Sequence, residues 1–348
     1  MPQITMTLDQ IEKLATDALM GAGASQTNAA SVARSTWRAE RDGVRSHGLL
    51  YVPIYAEHVK GGRVDGQAVP TVERPKPAAV RVDAKSGFAH PAIDAGFDAM
   101  VDAARSQGVG VMTVHNSYNC GVLGHHADRI AEQGLLGLCF TNAPASIAPT
   151  GGKKPVIGTN PFALGVPGGG GDGDGDGEGD GEGEGGVAFV IDQSASAIAK
   201  SEIMLRNREG EAIEPGWALD VDGNPTTDAA AALKGSMVPS GGAKGFGAGL
   251  MVEIFAAVLS GAVLGKDATP FSGPVGGPPN TGQCFIAFDT DTFSGGAFNS
   301  QLDNLIAALT EQEGTRLPGS RRAGARTRTA AGVEVDEALI ERIRAFCV

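Results

Sequence analysis

The stretch AVRVDAKSGFAHPAIDAGFDAMVDAARSQGVGVMTV, residues 79–114, decides the fold class. It begins with the alternation AVRVDA (79–84), which is typical of a half-buried strand. An amphipathic helix follows, with Pro91 near its first turn and apolar residues at helical spacing. The run VGVMTV (109–114) then has the length of a second strand. This order of elements predicts an α/β or α+β protein.

The rest of the chain continues the mixture of strands and helices. Turn-rich joints favour a mixed sheet over a regular β-α-β alternation. Thr7 and Gln10 have the spacing of a capping box and mark the first helix. Further strand-length apolar runs lie at 135–140, 162–166, 187–191 and 284–288. Further helices are predicted at 27–41, before Gly61-Gly62, at 196–207, 244–260 and 299–313, and at 336–346.

Composition and charge narrow the classes of partner. The chain has 348 residues, enough for a substantial core, and a formal net charge of −12. Residues 168–186 contain only Gly, Asp and Glu and carry seven of the acidic residues, so the remainder is near −12 + 7 = −5. This mild acidity gives no reason to expect nucleic acid or an anionic membrane as a partner.

The sequence shows no targeting signal, and together with its cysteine usage this predicts a cytoplasmic protein. The first twenty residues lack a basic region followed by an apolar core, and no apolar stretch approaches about 18 residues. We therefore expect neither a signal peptide nor a membrane span. The four cysteines are widely spaced, which fits reduced thiols better than a disulfide framework.

The acidic tract at 168–186 predicts a disordered insertion. It lies between two strand-like runs, and its composition cannot bury a core. It lacks the apolar residue that each repeat of a calcium-binding β-roll needs, and it lacks the frame of an EF-hand. A calcium-binding or interaction module built on this tract is the non-enzyme alternative.

Standard nucleotide and metal motifs are missing from the sequence. No GxGxxG follows a strand, and no phosphate-binding P-loop motif occurs. His125 and His126 are adjacent, so on a helix they point about 100° apart. Cys120 with His125 lacks two further ligands at the usual spacing, so no metal site is predicted.

Two residues are candidates for proton transfer. His47 follows Ser46 and precedes Gly48 just beyond a helix end, where its ring is accessible and its pKa lies near working pH. Asp192 ends the run VAFVI, and a carboxylate at a strand end can orient an imidazole. Taken alone, His47 could equally be a surface or capping histidine, and Asp192 a helix N-cap.

Two loops have the composition of backbone ligand sites. Residues 116–121 (NSYNCG) open a helix after a strand, where free N–H groups favour an anion such as a pyrophosphate. Residues 240–245 (SGGAKG) also precede a helix and include a lysine. Each loop could also serve only to cap its helix.

Together these segments resemble the malate/L-lactate dehydrogenase type-2 family of NAD(P)-dependent oxidoreductases. The resemblance covers nearly the whole chain except 168–186, and several motifs occur in the family's order. Its members include malate, sulfolactate and ureidoglycolate dehydrogenases and the reductase of piperideine-2-carboxylate. The motifs that carry it are DGVRSHGLL (42–50), GGKKPVIGTNPFALGVP (151–167), FVIDQSASAIAKSEI (189–203), EPGWALDVDGNPTTDA (214–229), PSGGAKGFG (239–247) and RLPGSRR (316–322).

The resemblance implies a fold unlike the Rossmann fold. It implies a mixed, largely antiparallel sheet, N- and C-terminal helices packed together, and a homodimer. Residues 1–115 with 300–348 would form a helical substrate and dimerisation lobe. Residues 116–299 would form the cofactor-binding lobe.

The resemblance also implies roles for individual residues. His47 would be the proton donor or acceptor, relayed by Ser46 and Asp192, and Thr159 would contact the substrate. The cofactor, NAD or NADP, would lie along Asn119, Cys120, Gly121, Val122, Leu123, Ser194, Ala195, Lys244, Gly245, Arg316, Gly319, Arg321 and Arg322.

Two positions depart from the family pattern in the active pocket. Many relatives have an arginine four residues after the family histidine, where it holds a substrate carboxylate, and here the residue is Tyr51. Asn119 replaces a histidine common in relatives. A phenol cannot form the bidentate pair that an arginine forms.

The reaction that the resemblance implies is hydride transfer between nicotinamide and a 2-oxo or 2-hydroxy acid, with cyclic imine carboxylates as the alternative substrates.

Overall fold

The computed structural model describes residues 2–169, 186–274 and 276–347. Residues 170–185 make up nearly all of the acidic tract. The expectation of a disordered insertion therefore lies outside the described residues.

The centre of the molecule is a seven-stranded sheet. All its neighbouring strands pair antiparallel except one parallel pair, 79–83 with 109–117. This confirms the mixed, largely antiparallel sheet. In spatial order the strands are β2 (Thr71–Lys76), β3 (Ala79–Asp83), β4 (Val109–Ser117), β11 (Thr281–Asp289), β5 (Leu135–Thr141), β6 (Phe162–Pro167) and β7 (Val187–Gln193).

Two helices pack on this sheet around its largest buried cluster. They are α4 (Ala89–Gln107) and α5 (Leu123–Ala131). Gly165 in β6 allows α5 to approach closely, because a Cβ at that position would lie 2.0 Å from the carbonyl oxygen of Ala127. The close packing fixes the N-terminus of α5 beside the end of β7.

The two ends of the chain form a second core. Strand β1 (Gln3–Met6) pairs antiparallel with β12 (Val333–Asp336), and Ile11, Leu49 and Ile340 lie in the same buried cluster. This confirms the packing of the N- and C-terminal helices. Those helices are α1 (Leu8–Gly21), α2 (Gln26–Arg41), α3 (Val52–Lys60) and α12 (Glu337–Arg344).

A smaller region follows β7. A helix was expected at 196–207, but α6 begins at Lys200, because Ala197 instead donates its N–H to the carbonyl of Val238. The helix expected at 244–260 is α8 (Ala243–Glu253), which continues as a π-helical turn, Ile254–Val258. The remaining elements are α6 (Lys200–Glu209), β8 (Ala218–Leu219), β9 (Pro225–Thr226), α7 (Ala229–Lys234), β10 (Ser236–Met237), α9 (Thr290–Ser294), α10 (Phe298–Thr310) and α11 (Ser320–Thr329).

The central sheet crosses the lobe boundary expected at 115/116. Strand β4 runs through that boundary, and β2 and β3 share the sheet with the strands that follow it. Among the described helices, none has the length and apolar character needed to cross a membrane.

Candidate functional site

The turn that follows α2 presents the candidate catalytic histidine. It consists of two 3₁₀ turns, Arg45–His47 and Leu49–Tyr51. Buried Glu40 holds the turn by accepting the N–H of Leu49 at 2.7 Å, and burial raises the pKa of its carboxyl group. Gly48 is needed here, because a Cβ would lie 2.1 Å from Glu40 Oε1.

Ser46 and His47 are adjacent on this turn. Ser46 Oγ lies 3.1 Å from His47 Nδ1. Burial lowers the pKa of half-buried His47, the charge of Asp192 acts to raise it, and His125 and Arg322 act to lower it. The ring is therefore weakly basic and has charged groups of both signs around it.

Asp192 lies near His47 but is hydrogen-bonded elsewhere. Its Oδ2 accepts the N–H of Gly124 at 3.0 Å and Nη2 of Arg322 at 2.6 Å. No hydrogen bond joins Asp192 to His47 in the described structure, which differs from the direct relay implied by the resemblance. The reason is that Arg322, from helix α11, pairs with the carboxylate instead.

A second carboxylate behind the site was not identified from the sequence. Asp42 accepts hydrogen bonds from His125 Nε2 at 3.1 Å, from Arg326 at 2.9 and 3.1 Å, and from Arg41 at 2.9 Å. Burial favours the neutral acid, yet the bonds from His125 and Arg326 hold the pKa of Asp42 well below its usual range. The sequence marks Asp42 only as a helix end, so the signal for this role is missing.

The region around His47 is called the active pocket below. Aromatic side chains form one wall of it. The rings of His47 and Tyr51 are parallel within 4°, with centroids 6.3 Å apart, and the Tyr51 and Tyr55 centroids are 4.9 Å apart. Burial raises the pKa of Tyr51 to about 12. The Tyr51 hydroxyl reaches the carbonyl of Phe271 at 3.5 Å. The wall is thus largely aromatic.

The 119–123 segment contacts these aromatic side chains through Asn119. Asn119 Oδ1 accepts the Tyr55 hydroxyl at 3.1 Å and the N–H of Gly121 at 2.7 Å. Burial raises the pKa of the Cys120 thiol to about 12, so it is not a thiolate at neutral pH. Val122 caps α5, which begins at Leu123. The segment places the N-terminus of α5 next to Asp192, which accepts the N–H of Gly124.

The segment after Asp192 gathers a second group of predicted residues. Ala195 donates its N–H to the carbonyl of Thr159 at 2.8 Å and accepts the N–H of Ser240 at 2.8 Å. Ser194 Oγ lies 2.9 Å from Ser196 Oγ. Lys244 and Gly245 start α8 next to this loop, and Lys244 is exposed.

The RLPGSRR segment borders a cleft of about 270 Å³ against β7. Gly319 has φ +81°, and a Cβ there would lie 3.2 Å from the carbonyl oxygen of Val190. Arg322 and Arg326 line the cleft together with Asp128. Arg316 and Arg321 are exposed on the same segment.

The structure therefore brings the predicted residues into two adjoining groups. In the first group Ser46, His47 and Tyr51 share one turn, the charge of Asp192 acts on His47, and Asn119 is bonded to Tyr55 beside Tyr51. The second group continues along the backbone from Asp192 and comprises Thr159, Ser194, Ala195, Lys244 and Gly245. The arginine segment, with Arg316, Gly319 and Arg321, reaches the first group through Arg322, which is bonded to Asp192.

A dinucleotide fits this arrangement better than a metal does. The cleft beside β7 offers arginine side chains at the N-terminus of α11, which favours phosphate groups. Within the described residues, no three His, Cys, Asp or Glu side chains lie close enough together to hold a metal ion.

Comparison with known proteins identifies the family of the chain. The sequence model of the malate/L-lactate dehydrogenase family matches residues 6–344. The chain is 40% identical to (2R)-3-sulfolactate dehydrogenase (NADP(+)) of Chromohalobacter salexigens, over 99% of this chain and 98% of the relative. It is 38% identical to Δ(1)-pyrroline-2-carboxylate reductase of Ancylobacter novellus, over 99% and 97%.

Solved structures give the same assignment. The crystal structure of Δ1-piperideine-2-carboxylate reductase from Pseudomonas syringae pvar. tomato superposes with a TM-score of 0.88 at 34% identity, covering 99% of both chains. Sulfolactate dehydrogenase from Methanocaldococcus jannaschii superposes with a TM-score of 0.86 at 26% identity, covering 99% of this chain and 96% of the other. The chain is therefore an oxidoreductase that belongs to the malate/L-lactate dehydrogenase family.

Proposed function

We propose that the protein is an NADP-linked dehydrogenase of 2-hydroxy acids, which reduces the matching 2-oxo acids in reverse. The observation that carries this proposal is the placement of His47. It lies beside Ser46, near the charges of Asp192 and Arg322, with one ring face toward Tyr51. Sulfolactate, malate and lactate are the candidate substrates, and the 40% identical relative is named for sulfolactate.

The nicotinamide of a bound cofactor supplies or receives the hydride. His47 Nε2 is the proton-transfer atom, because Nδ1 faces the hydroxyl of Ser46. Burial keeps the free imidazole neutral at neutral pH, so His47 accepts the proton of the substrate hydroxyl during oxidation. In the reverse direction the protonated ring returns that proton to the carbonyl oxygen.

The chain holds the cofactor with backbone groups and arginines. The 119–123 segment and the 194–195 segment flank the pocket, with Thr159 on the substrate side. Arg316, Arg321 and Arg322 supply positive charge for phosphate groups. The name of the sulfolactate relative includes NADP(+), which supports NADP as the preferred form.

A steady-state assay with NADPH and NADH tests the proposal. Sulfopyruvate, oxaloacetate, pyruvate and Δ1-piperideine-2-carboxylate are compared by the absorbance of the reduced nicotinamide. We expect turnover of a 2-oxo acid with a higher kcat/KM for NADPH. Lack of turnover of every 2-oxo acid would contradict the leading proposal.

Cyclic imine carboxylates are the second candidate. The aromatic wall of Tyr51, Tyr55 and Phe271 suits the methylene groups of a five- or six-membered ring. Two imine reductases are similar to the chain at 38% and 34% identity. In the same assay, turnover of Δ1-piperideine-2-carboxylate alone would favour this candidate.

A homodimer is also proposed, with the exposed face of α8 and its π-helical extension as the contact, in place of the dimerisation lobe expected at 1–115 with 300–348. Five apolar side chains share this face, and unpartnered apolar patches are typical of interfaces. Val258→Glu should convert a dimer into a monomer by native mass spectrometry, whereas Val221→Glu should not. Val258 and Val221 are similarly exposed, at 60% and 59%. A dimer that survives Val258→Glu would contradict this interface. The five residues are Leu250, Met251, Ile254, Val258 and Leu259.

Two further expectations stay proposals. Residues 1–115 with 300–348 would form the substrate lobe and 116–299 the cofactor lobe. The two lobes would meet at the site, where Arg316, Arg321 and Arg322 of the first reach the cofactor and Thr159 of the second contacts the substrate. A cytoplasmic location is supported by four cysteines that are all free thiols.

A further inference from the structure

Arg322 is bonded to Asp192 and at the same time lines the cleft beside β7. Its Nη2 is bonded to Asp192 at 2.6 Å, and the two side chains are 21% and 14% exposed. The same residue lines the cleft of about 270 Å³ between β7 and the start of α11. The guanidinium can therefore serve either the catalytic carboxylate or a ligand in the cleft.

The pair with Arg322 changes what Asp192 can do. Oδ2 of Asp192 takes both the Arg322 bond and the Gly124 bond, and His47 is not among its partners. An arginine bonded to a carboxylate neutralises its charge and fixes its direction. Asp192 is then poorly placed to stabilise a protonated His47.

We propose that Arg322 is a switch, which binds Asp192 in the free enzyme and moves to a phosphate group of the bound cofactor, releasing Asp192 to orient His47. This inference rests on the proposed cofactor. It makes Arg322 the link between cofactor occupancy and the readiness of the proton-transfer residue. Substrate that arrives before the cofactor then meets a histidine without its carboxylate partner.

The charges around His47 give the direction of the effect. Asp192 of β7 acts to raise its pKa, and Arg322 of α11 and His125 of α5 act to lower it. His125 is hydrogen-bonded to Asp42, and burial lowers its own pKa, so it is neutral near pH 7. Departure of Arg322 removes a nearby cation and frees an anion, and both changes raise the pKa of His47.

The test is a titration of His47 by NMR in protein labelled at histidine Cε1, with His47→Gln to assign the signal. NADPH, whose reduced nicotinamide ring is neutral, should raise the pKa of His47 by roughly one unit relative to the free enzyme. Arg322→Gln should raise it by a similar amount without cofactor, and NADPH should then add little. Arg328→Gln is the matched control, because Arg328 is exposed on the same helix, and it should leave the free-enzyme value unchanged.

The outcomes separate this inference from the proposed function. Cofactor binding by calorimetry without a rise in the pKa of His47 would overturn the switch and leave the proposed function standing. An unchanged pKa in folded Arg322→Gln would do the same. Failure of both NADP+ and NAD+ to bind would overturn the proposed cofactor and the switch together. The wild-type titration needs no variant, so misfolding of Arg322→Gln leaves the inference falsifiable.

Discussion

Arg326 holds Asp42 with two hydrogen bonds, Nε to Oδ1 at 2.9 Å and Nη2 to Oδ2 at 3.1 Å. Asp42 ends α2 five residues before His47, and its side chain is fully buried. Arg326 lies four residues after Arg322 on α11, so one face of this helix holds both carboxylates near the site. Through these bonds helix α11 contacts the start of the turn that carries the candidate catalytic histidine.

Asp42→Asn should destabilise the protein by about 1–3 kcal/mol, because the neutral amide weakens the charge-assisted hydrogen bonds from Arg326, Arg41 and His125. Urea denaturation at pH 7.5 measures the change. Asp98→Asn is the control, since Asp98 is exposed on α4, and it should be nearly neutral. Equal stability of the two variants would mean that the Asp42 bonds contribute nothing.

His47→Gln should lower kcat by roughly 100-fold to 10,000-fold, the usual contribution of a positioned acid or base. The Kd for NADP+ should change little, because the side chain faces the pocket beside Ser46 and Tyr51. His115→Gln, in β4, is the control and should keep full activity. Normal turnover in folded His47→Gln would exclude it as the proton-transfer residue.

Most of the fold follows from local pattern, and most of the inner site does not. Apolar runs such as 135–140 and 284–288 became central strands, because buried strands need continuous apolar side chains. Strands β1 and β12 were not predicted: each is only four residues long, and they pair across the whole chain. The bonds of His125 and Arg326 to Asp42 depend likewise on tertiary packing that no local spacing reveals.

Two buried histidines should make the protein sensitive to acid. Burial lowers the pKa of His90 to about 4 and that of His126 to about 3, from an ordinary value of 6.5. Between about pH 6.5 and these values the unfolded chain binds protons that the folded protein does not, so stability falls as the pH falls. Each unit by which folding lowers a pKa corresponds to a loss of roughly 1.4 kcal/mol in the free energy of unfolding once the pH has fallen below the folded-state value.

His126→Gln should flatten this dependence. His126 Nε2 donates to the carbonyl of Cys120 at 2.9 Å, and a glutamine amide can replace that donor without titrating. The difference in free energy of unfolding between pH 7.5 and pH 5 should be smaller in the variant than in wild type. An unchanged difference would show that His126 does not cause the acid sensitivity.

Arg63→Met should loosen the segment that carries Phe271. Arg63 is fully buried, and its guanidinium donates to the carbonyls of Pro270 and Gly273 and to Thr269 Oγ1. Loss of these donors leaves buried acceptors unpaired, at roughly 1–3 kcal/mol each. Faster hydrogen exchange in 269–273 and a higher substrate KM are expected, because Tyr51 bonds to the Phe271 carbonyl.

Exposed Arg74 in β2 provides the comparison for this variant. Arg74→Met should leave both the exchange rates and the KM unchanged. If Arg63→Met also left the 269–273 exchange rates at wild-type values, the prediction that Arg63 holds this segment in place would be wrong.

Gly124→Ala tests how closely α5 must approach the paired side chains. A Cβ at this position would lie 2.4 Å from Arg322 Nη1 and 2.7 Å from Asp192 Oδ2. Both atoms are at the ends of side chains, so the pair can move while the backbone stays in place. We therefore expect kcat/KM to fall at least tenfold, with the free energy of unfolding changed by less than about 1 kcal/mol, the usual difference between Gly and Ala in a helix.

Gly247→Ala is the matched control for this last variant, since Gly247 is also helical, in α8, and has open space where a Cβ would lie. It should keep full activity and equal or slightly higher stability. Wild-type kcat/KM in Gly124→Ala would mean that the position of the Arg322–Asp192 pair is irrelevant to turnover. A large loss of stability would instead mean that α5 itself shifts, because a displaced pair at the surface of the pocket leaves the core unchanged.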